Sequence, residues 1–310
     1  MKKVTKMWYA LLVLVATIGI SSCTDRQEFS TNLSHRLTFS TDTIAFDTLF
    51  TDVSSATQTF LIYNHNKEAL RIAHAALAGG NASPYRVNID GLAGTTFSDF
   101  TIRGGDSIYV FVEVTIDPRG QDNPFEVRDS LLFVLESGVL QQVIFTAGGQ
   151  DATELRGIVI DNDTRFTASR PYLIYDSLVV ASGCNLHIES GTRLYFTNNA
   201  EMQVYGRIEA MGTADSLIVF RGARTDHMFD YLPYDRLTAQ WGGITLHESS
   251  TDNIFVHCDI HSGTYGLRAK STNSDDQKIT MRSSQIHNVD NDALQITSCK
   301  ASFDNSLFTN

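Results

Sequence analysis

The segment from Arg224 to Trp241, RTDHMFDYLPYDRLTAQW, has the densest group of side chains able to bind a ligand. Aromatic faces stack on sugar rings, and neighbouring polar groups can orient hydroxyls. The alternative, and the more frequent use of such a segment, is a loop that folds back over its scaffold and covers it. The candidate ligand residues are Phe229, Tyr231, Tyr234, Asp235, Arg236 and Trp241.

Asp290 and Asp292 raise the question of acid–base catalysis, because two carboxylates on one face can hydrolyse a glycosidic bond. The segment Asn288-Val289-Asp290-Asn291-Asp292 resembles a turn of polygalacturonase-type hydrolases. Its spacing differs from the adjacent pair of that family, and the family's His-Gly and Arg-x-Lys segments are absent. We interpret both as solvated turn residues and predict no catalytic residue in this chain.

Histidines offer the main possibility of a metal site. His261 and His287 each follow an isoleucine at equivalent positions of a repeat, with Asp259 nearby, so an adventitious site could form. A pair of exposed polar side chains is the more ordinary interpretation. Asp161 and Asp163 lack the other ligands of a calcium loop. We therefore predict no metal and no cofactor.

Cysteine spacing also argues against a structural metal. Cys184, Cys258 and Cys299 match no zinc motif. Cys184 and Cys258 fall in phase with apolar neighbours, which favours buried free thiols, although an oxidising compartment would allow a disulfide. Ser-His-Asp, phosphate-loop and His-Glu-x-x-His patterns are absent, so no common enzyme class is indicated.

The N-terminus predicts the cellular location of the protein. Three lysines precede an apolar run of about 14 residues, which is too short to span a bilayer and is typical of a signal-peptide core. Ile20-Ser21-Ser22-Cys23 resembles a bacterial lipobox, which implies acylation of Cys23 and a stable membrane anchor. We predict a signal peptide over 1–22 and a tether over 23–35. Secretion after cleavage nearby, or an uncleaved anchor, is the alternative.

Charge restricts the partners. The chain has 24 basic and 35 acidic residues, and loss of the three N-terminal lysines leaves 21 minus 35, or −14. This acidity disfavours nucleic acid and anionic lipid head groups. Contact with the membrane is therefore expected through the N-terminal lipid alone.

Residues 36–150 alternate short apolar runs with turn signals. About seven strands in roughly 110 residues are typical of a β-sandwich. The segments TFLIYNHNKEALRI, RGGDSIYVFVEVTIDP and DSLLFVLESGVLQQVIFTAGGQDA resemble the immunoglobulin-like family of the ASPM–SPD2–Hydin type, although Asn64-His65-Asn66 departs from its usual Asn-x-Gly. The resemblance implies a spacer or docking module. The predicted strands include 37–40, 57–63, 85–89, 106–116, 128–136 and 139–147.

A repeat follows a linker or cap over 151–176. KITMRSSQIHN (278–288) aligns with KASFDNSLFTN (300–310), and IFVHCDIHSGTYGL (254–267) gives a third copy. Short strands at this period, without hairpin turns, predict a parallel coil over 177–310. In that coil Ile286 would lie over Phe308, and Ser262, Asn288 and Asn310 would form a ladder along the axis.

Three further segments resemble repeats of the pectin-lyase-like superfamily: PYLIYDSLVVASGCNLHIESGTRLYF, AEMQVYGRIEAMGTADSLIVFRG and QWGGITLHESS. More narrowly, the chain resembles envelope lipoproteins of Bacteroidetes-type bacteria. The resemblance implies an all-β protein, with an Ig-like β-sandwich followed by a right-handed parallel β-helix. Because the last residues fall within a coil, we expect further chain, or a covering partner, beyond residue 310.

These features predict a lipid-anchored protein of the outer membrane, at the cell surface or on the periplasmic face. Its β-helix would bind carbohydrate or another envelope partner without catalysis. Two alternatives stay open. A polysaccharide lyase or glycoside hydrolase would have its catalytic coils beyond residue 310, and a purely structural surface protein or adhesin would need no ligand site.

Overall fold

A computed structural model of the chain describes residues 29–229, 231–272 and 275–310. The predicted signal peptide and Cys23 lie outside the described residues. Within them the protein is all-β, as predicted, with strands and two short 3-10 helices, Gly80–Ala82 and Tyr234–Arg236. No helix in these ranges is long and apolar enough to cross a membrane.

The N-terminal part has ten strands in two five-stranded sheets. They are β1 (Thr38–Phe39), β2 (Thr43–Phe50), β3 (Gln58–Tyr63), β4 (Leu70–Leu77), β5 (Tyr85–Ile89), β6 (Leu92–Gly94), β7 (Thr96–Ile102), β8 (Ser107–Val114), β9 (Phe125–Leu135) and β10 (Leu140–Gln150). One sheet has the order β1-β3-β8-β5-β6 and the other β2-β10-β9-β4-β7. All neighbours are antiparallel except β2 and β10.

The two sheets share one core because alternate residues of each strand point inward. Val110, Val112 and Val114 of β8 are fully buried between exposed neighbours, as their alternation predicts. The prediction of two packed sheets is confirmed. The sequence analysis did not identify β2, β4, β6 and β7, which are needed to complete them.

The C-terminal part has nineteen further strands, and most are short. They are β11 (Thr153–Ile160), β12 (Thr164–Phe166), β13 (Tyr172–Val180), β14 (Asn185–Glu189), β15 (Arg193–Phe196), β16 (Glu201–Val204), β17 (Arg207–Met211), β18 (Ile218–Gly222), β19 (His227–Phe229), β20 (Leu232–Pro233), β21 (Ile244–Leu246), β22 (Asn253–Val256), β23 (Cys258–His261), β24 (Leu267–Ala269), β25 (Gln277–Arg282), β26 (Gln285–His287), β27 (Leu294–Ile296), β28 (Lys300–Asp304) and β29 (Leu307–Phe308). All of them pair in parallel except β19 and β20.

The parallel strands form three faces, which the chain visits in the same order on each turn. The first face is β12-β14-β17-β22-β25-β28, the second β15-β18-β23-β26-β29 and the third β16-β21-β24-β27. The long strand β13 turns at Asp176, whose φ is 61°, so its first half pairs with β15 and its second half with β16. We call this assembly the parallel stack.

Inward side chains of the stack lie in columns along its axis. On the second face Ile260 pairs with Ile286 and Ile286 with Phe308, and on the first face Met281 pairs with Phe303, as the repeat predicts. Full burial of one such aliphatic or aromatic side chain contributes about 1.5–3 kcal/mol. The first-face column consists of Phe166, Ile188, Ala210, Phe255, Met281 and Phe303.

Two details of the predicted coil need correction. Residues 151–176 were predicted as a linker or a cap, and the linker is wrong, because β11, β12 and the start of β13 already pair within the stack. The mostly exposed β11 is the terminal strand of the stack, which is the position of a cap. The ladder of Ser262, Asn288 and Asn310 does not form either. Ser262 and Asn288 occupy left-handed corners, and the Asn288 and Asn310 amides donate to carbonyls elsewhere.

A different ladder joins successive turns at the start of the second face. The Cys258 amide donates to Ser284 Oγ at 3.0 Å, and the Ser284 amide donates to Ser306 Oγ at 3.4 Å. Side-chain hydroxyls thus satisfy backbone groups at corners where the sheet hydrogen bonding is interrupted. The three cysteines in the described residues are free. Of the two predicted as buried free thiols, Cys258 is buried and Cys184 is only partly so.

Because the columns hold the turns together, we predict that Ile208→Ala, within the stack, lowers the free energy of unfolding by about 2–5 kcal/mol. Ile296→Ala, at a largely exposed position of the same stack, is the matched control, with a change near 0.5 kcal/mol. Urea unfolding followed by Trp241 fluorescence measures both. Equal losses in the two variants would contradict the packing of Ile208 inside the stack.

Candidate functional site

The segment 224–241, which we call the aromatic loop, is an insertion between β18 and β21. Ile208 and Asn253, on adjacent turns of the first face, are 45 residues apart in the chain, compared with 22 or 26 between other turns. The loop contains the antiparallel pair β19 and β20 and the 3-10 helix Tyr234–Arg236. It leaves the stack and returns without disturbing the parallel register.

The first half of the loop is bound to the N-terminal sandwich. Thr225 Oγ1 donates to the Thr48 carbonyl at 2.6 Å, and His227 Nδ1 lies 2.9 Å from Asp47 Oδ2. A cleft of about 500 Å³ lies beside these contacts, between sandwich, stack and loop. Its apolar lining includes Leu49, Phe50, Val53, Leu173 and Tyr175.

The second half of the loop is bound to the second face of the stack through Asp235. Its Oδ1 lies 2.7 Å from His261 Nε2 and 2.6 Å from a guanidinium nitrogen of Arg221. The carbonyl of Arg236 accepts a hydrogen bond from Asn288 Nδ2 at 2.9 Å. The loop is therefore fixed at both ends, once to each part of the protein.

Asp235 belongs to a connected group with Asp259, His261 and His287, which we call the His–Asp cluster. Asp259 Oδ1 lies 2.8 Å from His261 Nδ1 and 3.0 Å from His287 Nε2. The two imidazole rings stack at a centroid distance of 4.8 Å. The expectation of two exposed histidines is wrong for His261, because the loop covers it and leaves 5% of the residue accessible.

The cluster favours ionised side chains. Burial opposes ionisation of Asp259, but hydrogen bonds from His261 and His287 hold its pKa far below the usual range. Burial likewise opposes the charged form of His261, yet the two carboxylates raise its pKa. The hydrogen bond to Asp259 raises the pKa of His287, and the one from His261 lowers that of Asp235. The loop is thus held by charge-assisted hydrogen bonds.

Only part of the predicted aromatic set is available to a ligand. Phe229 and Tyr231 are 51% and 78% exposed, and their rings stack at 5.7 Å with an interplanar angle of 13°. Tyr234 lies against the guanidinium of Arg224, 3.4 Å from its ring centroid. Arg236 uses its backbone carbonyl to hold the loop, as described above.

The prediction that Trp241 contacts a ligand is wrong. Its ring is 1% exposed, stacks on Phe196 at 4.2 Å and donates from Nε1 to the His261 carbonyl at 2.8 Å. Gly243 follows it with φ 100°, and a Cβ there would lie 2.3 Å from the Tyr265 carbonyl oxygen. The Trp-Gly-Gly-Ile sequence therefore packs the corner where the loop returns to the stack.

The remaining carboxylates do not form a catalytic pair. Asp290 and Asp292 are exposed, and Asp290 accepts a long hydrogen bond of 3.5 Å from Thr238. This agrees with their interpretation as solvated turn residues. Among the described residues, Asp259, His261 and His287 form a group whose possible metal-ligand atoms all lie within 4.8 Å of one another.

A polar column on the third face was missed by the sequence analysis. Gln203, Thr245, Arg268 and Gln295 pair in register and point outward. Within the described residues, Thr245 Oγ1 and Arg268 Nε are buried without a hydrogen-bond partner, which is rare for such atoms. These residues are far apart in the sequence and become neighbours only through the strand register, so the sequence alone did not reveal the patch.

Comparison with known proteins assigns no family. No protein-family model and no curated protein matches the chain. Among solved structures, the PapD-like domain 7 of human CEP192 is 13% identical, over 43% of this chain and 96% of that one, with a TM-score of 0.25. The VesB protease of Vibrio cholerae is 14% identical, over 36% of this chain and 31% of that one, with a TM-score of 0.26.

A third similar structure is the catalytic unit of the GH87 α-1,3-glucanase of Streptomyces thermodiastaticus. It is 12% identical, over 81% of this chain and 51% of that one, with a TM-score of 0.29. The chain thus spans about half of the glucanase unit and less than a third of the protease. At these levels of similarity none of the three assigns an activity to this chain.

The geometry predicts that Asp235→Ala releases the aromatic loop from the stack. Removing a charged hydrogen-bond partner weakens the local structure by about 1–3 kcal/mol. Amide hydrogen exchange of residues 232–240 should then accelerate about 10-fold or more, since their protection depends on the closed loop. Asp215→Ala, at an exposed turn, is the control. Unchanged exchange in Asp235→Ala would contradict the role of Asp235.

Proposed function

We propose that this protein is a non-catalytic, lipid-anchored protein of the bacterial outer membrane that binds carbohydrate. In this proposal the parallel stack is a right-handed β-helix of the pectin-lyase-like type, and the N-terminal sandwich is an Ig-like spacer. The observation that carries the binding role is the exposed, stacked pair Phe229 and Tyr231 on a loop fixed at both ends.

Exposed aromatic rings favour a stacking ligand for a physical reason. Covering a large water-exposed apolar surface with a partner lowers the free energy. Contiguous patches of such surface mark binding sites. Met228, the chain neighbour of Phe229, is exposed as well. The loop is already fixed, so binding a ligand does not include the free-energy cost of ordering a mobile loop.

The charges beside the ring pair favour a neutral sugar. Arg224 pairs with Asp226, and His227 Nδ1 lies 2.9 Å from Asp47 Oδ2, so these polar groups beside the rings already have partners. The acidic balance of the chain would repel a polyanionic glycan over longer distances. Sugar rings with apolar faces and unionised hydroxyls meet both conditions.

The carboxylates of the His–Asp cluster favour binding over hydrolysis. A glycosidase needs a carboxyl group that keeps its proton near neutral pH, which requires a raised pKa. Asp235 and Asp259 have lowered pKa values because histidines donate hydrogen bonds to them. Neither is suited to protonate a glycosidic oxygen.

We predict that Phe229→Ala with Tyr231→Ala weakens binding of a neutral oligosaccharide about 5- to 150-fold. Two stacking rings contribute about 1–3 kcal/mol together. Tyr109→Ala with Phe111→Ala is a matched control, because these two exposed rings also stack, at 6.2 Å, on the sandwich.

A glycan array identifies the ligand, and titration calorimetry with that glycan measures each variant. The proposal predicts wild-type affinity in the control and loss in the loop variant. An array without a signal from the wild-type protein, or equal losses in both variants, would contradict it.

The anchor is tested separately. We predict that Cys23→Ala abolishes incorporation of labelled palmitate in a bacterial host and releases the protein from the membrane fraction. Cys184→Ala removes an internal cysteine and should leave labelling unchanged. Labelling that survives Cys23→Ala would refute the proposed lipidation site.

A further inference from the structure

We propose that the His–Asp cluster binds one divalent transition-metal ion, preferably Zn²⁺, through Asp259 Oδ1, His261 Nδ1 and His287 Nε2. Two nitrogen donors and one carboxylate oxygen are a common ligand set for zinc with three protein ligands. The same donors are a poor match for Ca²⁺ or Mg²⁺, which prefer oxygen ligands. The inference does not depend on carbohydrate binding.

The three donor atoms already converge. Asp259 Oδ1 is 2.8 Å from His261 Nδ1 and 3.0 Å from His287 Nε2, and all three atoms lie within 4.8 Å of one another. Ligands about 2.0–2.1 Å from a tetrahedral ion are roughly 3.3 Å apart. The two contacts with the carboxylate therefore need to lengthen by a few tenths of an ångström. The two ring nitrogens need to approach each other from as much as 4.8 Å, which a rotation of the partly exposed His287 ring would provide.

The other polar atom of each ligand is already held by a second residue. Asp235 accepts from His261 Nε2 at 2.7 Å, and Asn288 Oδ1 lies 2.6 Å from His287 Nδ1. Gln285 Nε2 donates to Asp259 Oδ2 at 2.8 Å. Outer partners of this kind orient metal-binding histidines and carboxylates and fix which atom faces the ion.

The binding atoms already face one another. His261 Nδ1 and His287 Nε2 both lie against the same oxygen, Asp259 Oδ1. An ion that enters between them would displace any proton in these contacts to solvent, as is usual when histidine binds a metal.

The site also lies where an ion can reach it. The side chains of Asp259 and His287 are partly exposed, whereas His261 is covered by the loop. Solvent can therefore supply the fourth ligand on the His287 side. Because Asp235 holds His261 from the loop, the bound ion and the closed aromatic loop would stabilise each other.

The test is titration calorimetry of the full chain, without a histidine tag and freed of metal by a chelator, with Zn²⁺ alone. The visible spectrum with Co²⁺ reports the geometry. We expect one ion per chain and an intense tetrahedral Co²⁺ spectrum. His287→Gln should abolish both signals, and Gln285→Ala, which removes only an outer partner, should weaken binding about 10- to 100-fold.

His187→Gln is the matched control, because His187 also faces a carboxylate, Glu209 at 3.4 Å, without a second imidazole. It should bind Zn²⁺ like the wild type, and circular dichroism checks that every variant is folded. Absence of stoichiometric Zn²⁺ binding to the wild type, or wild-type affinity in folded His287→Gln, would overturn the proposal.

Discussion

Parallel register along one axis is the constraint on which the C-terminal half depends. Outside the aromatic loop, each described strand has only two to nine residues and no hairpin partner. Such a strand is stable only when its inward side chains lie above and below those of the neighbouring turns. The column from Phe166 to Phe303 combines large side chains with the smaller Ala210. A residue inserted within a strand would turn its apolar side chains outward, whereas one inserted at a corner would not.

The aromatic loop is such an insertion at a corner. It enters at the corner between the second and third faces, and the long excursion adds little entropy cost because loop closure grows only slowly with length. Thr225 and His227 join it to the sandwich, and Asp235 joins it to the stack. The stack thus provides a rigid base, and the insertion provides the exposed rings.

Local sequence patterns predicted the strand alternation and the repeat. The alternation in β8 and the 22-residue match between Met281 and Phe303 are both visible in single segments, and both were correct. Strands such as β2 and β4 were missed because their exposed positions carry alanine and threonine as well as charge, which weakens the alternation. The extent of the stack was underestimated because β11 is a terminal strand with few buried residues.

The candidate site was only partly predictable. The aromatic segment stands out in the sequence, but the burial of Trp241 follows from its stacking on Phe196, 45 residues away. The contact between Asp235 and His261 depends on how the loop folds back, which no local pattern records. The unpartnered atoms of Thr245 and Arg268 meet only through the register of the third face.

The register itself can be measured by cross-linking Thr280→Cys with Ser302→Cys, two outward positions paired on adjacent turns of the first face. Parallel neighbours in a sheet are close enough for a disulfide. The account predicts that mild oxidation joins these two positions, detected by peptide mass spectrometry, and that Thr280→Cys with Phe303→Cys stays reduced because the second side chain points inward. A cross-link in the second pair but not in the first would contradict the parallel stack.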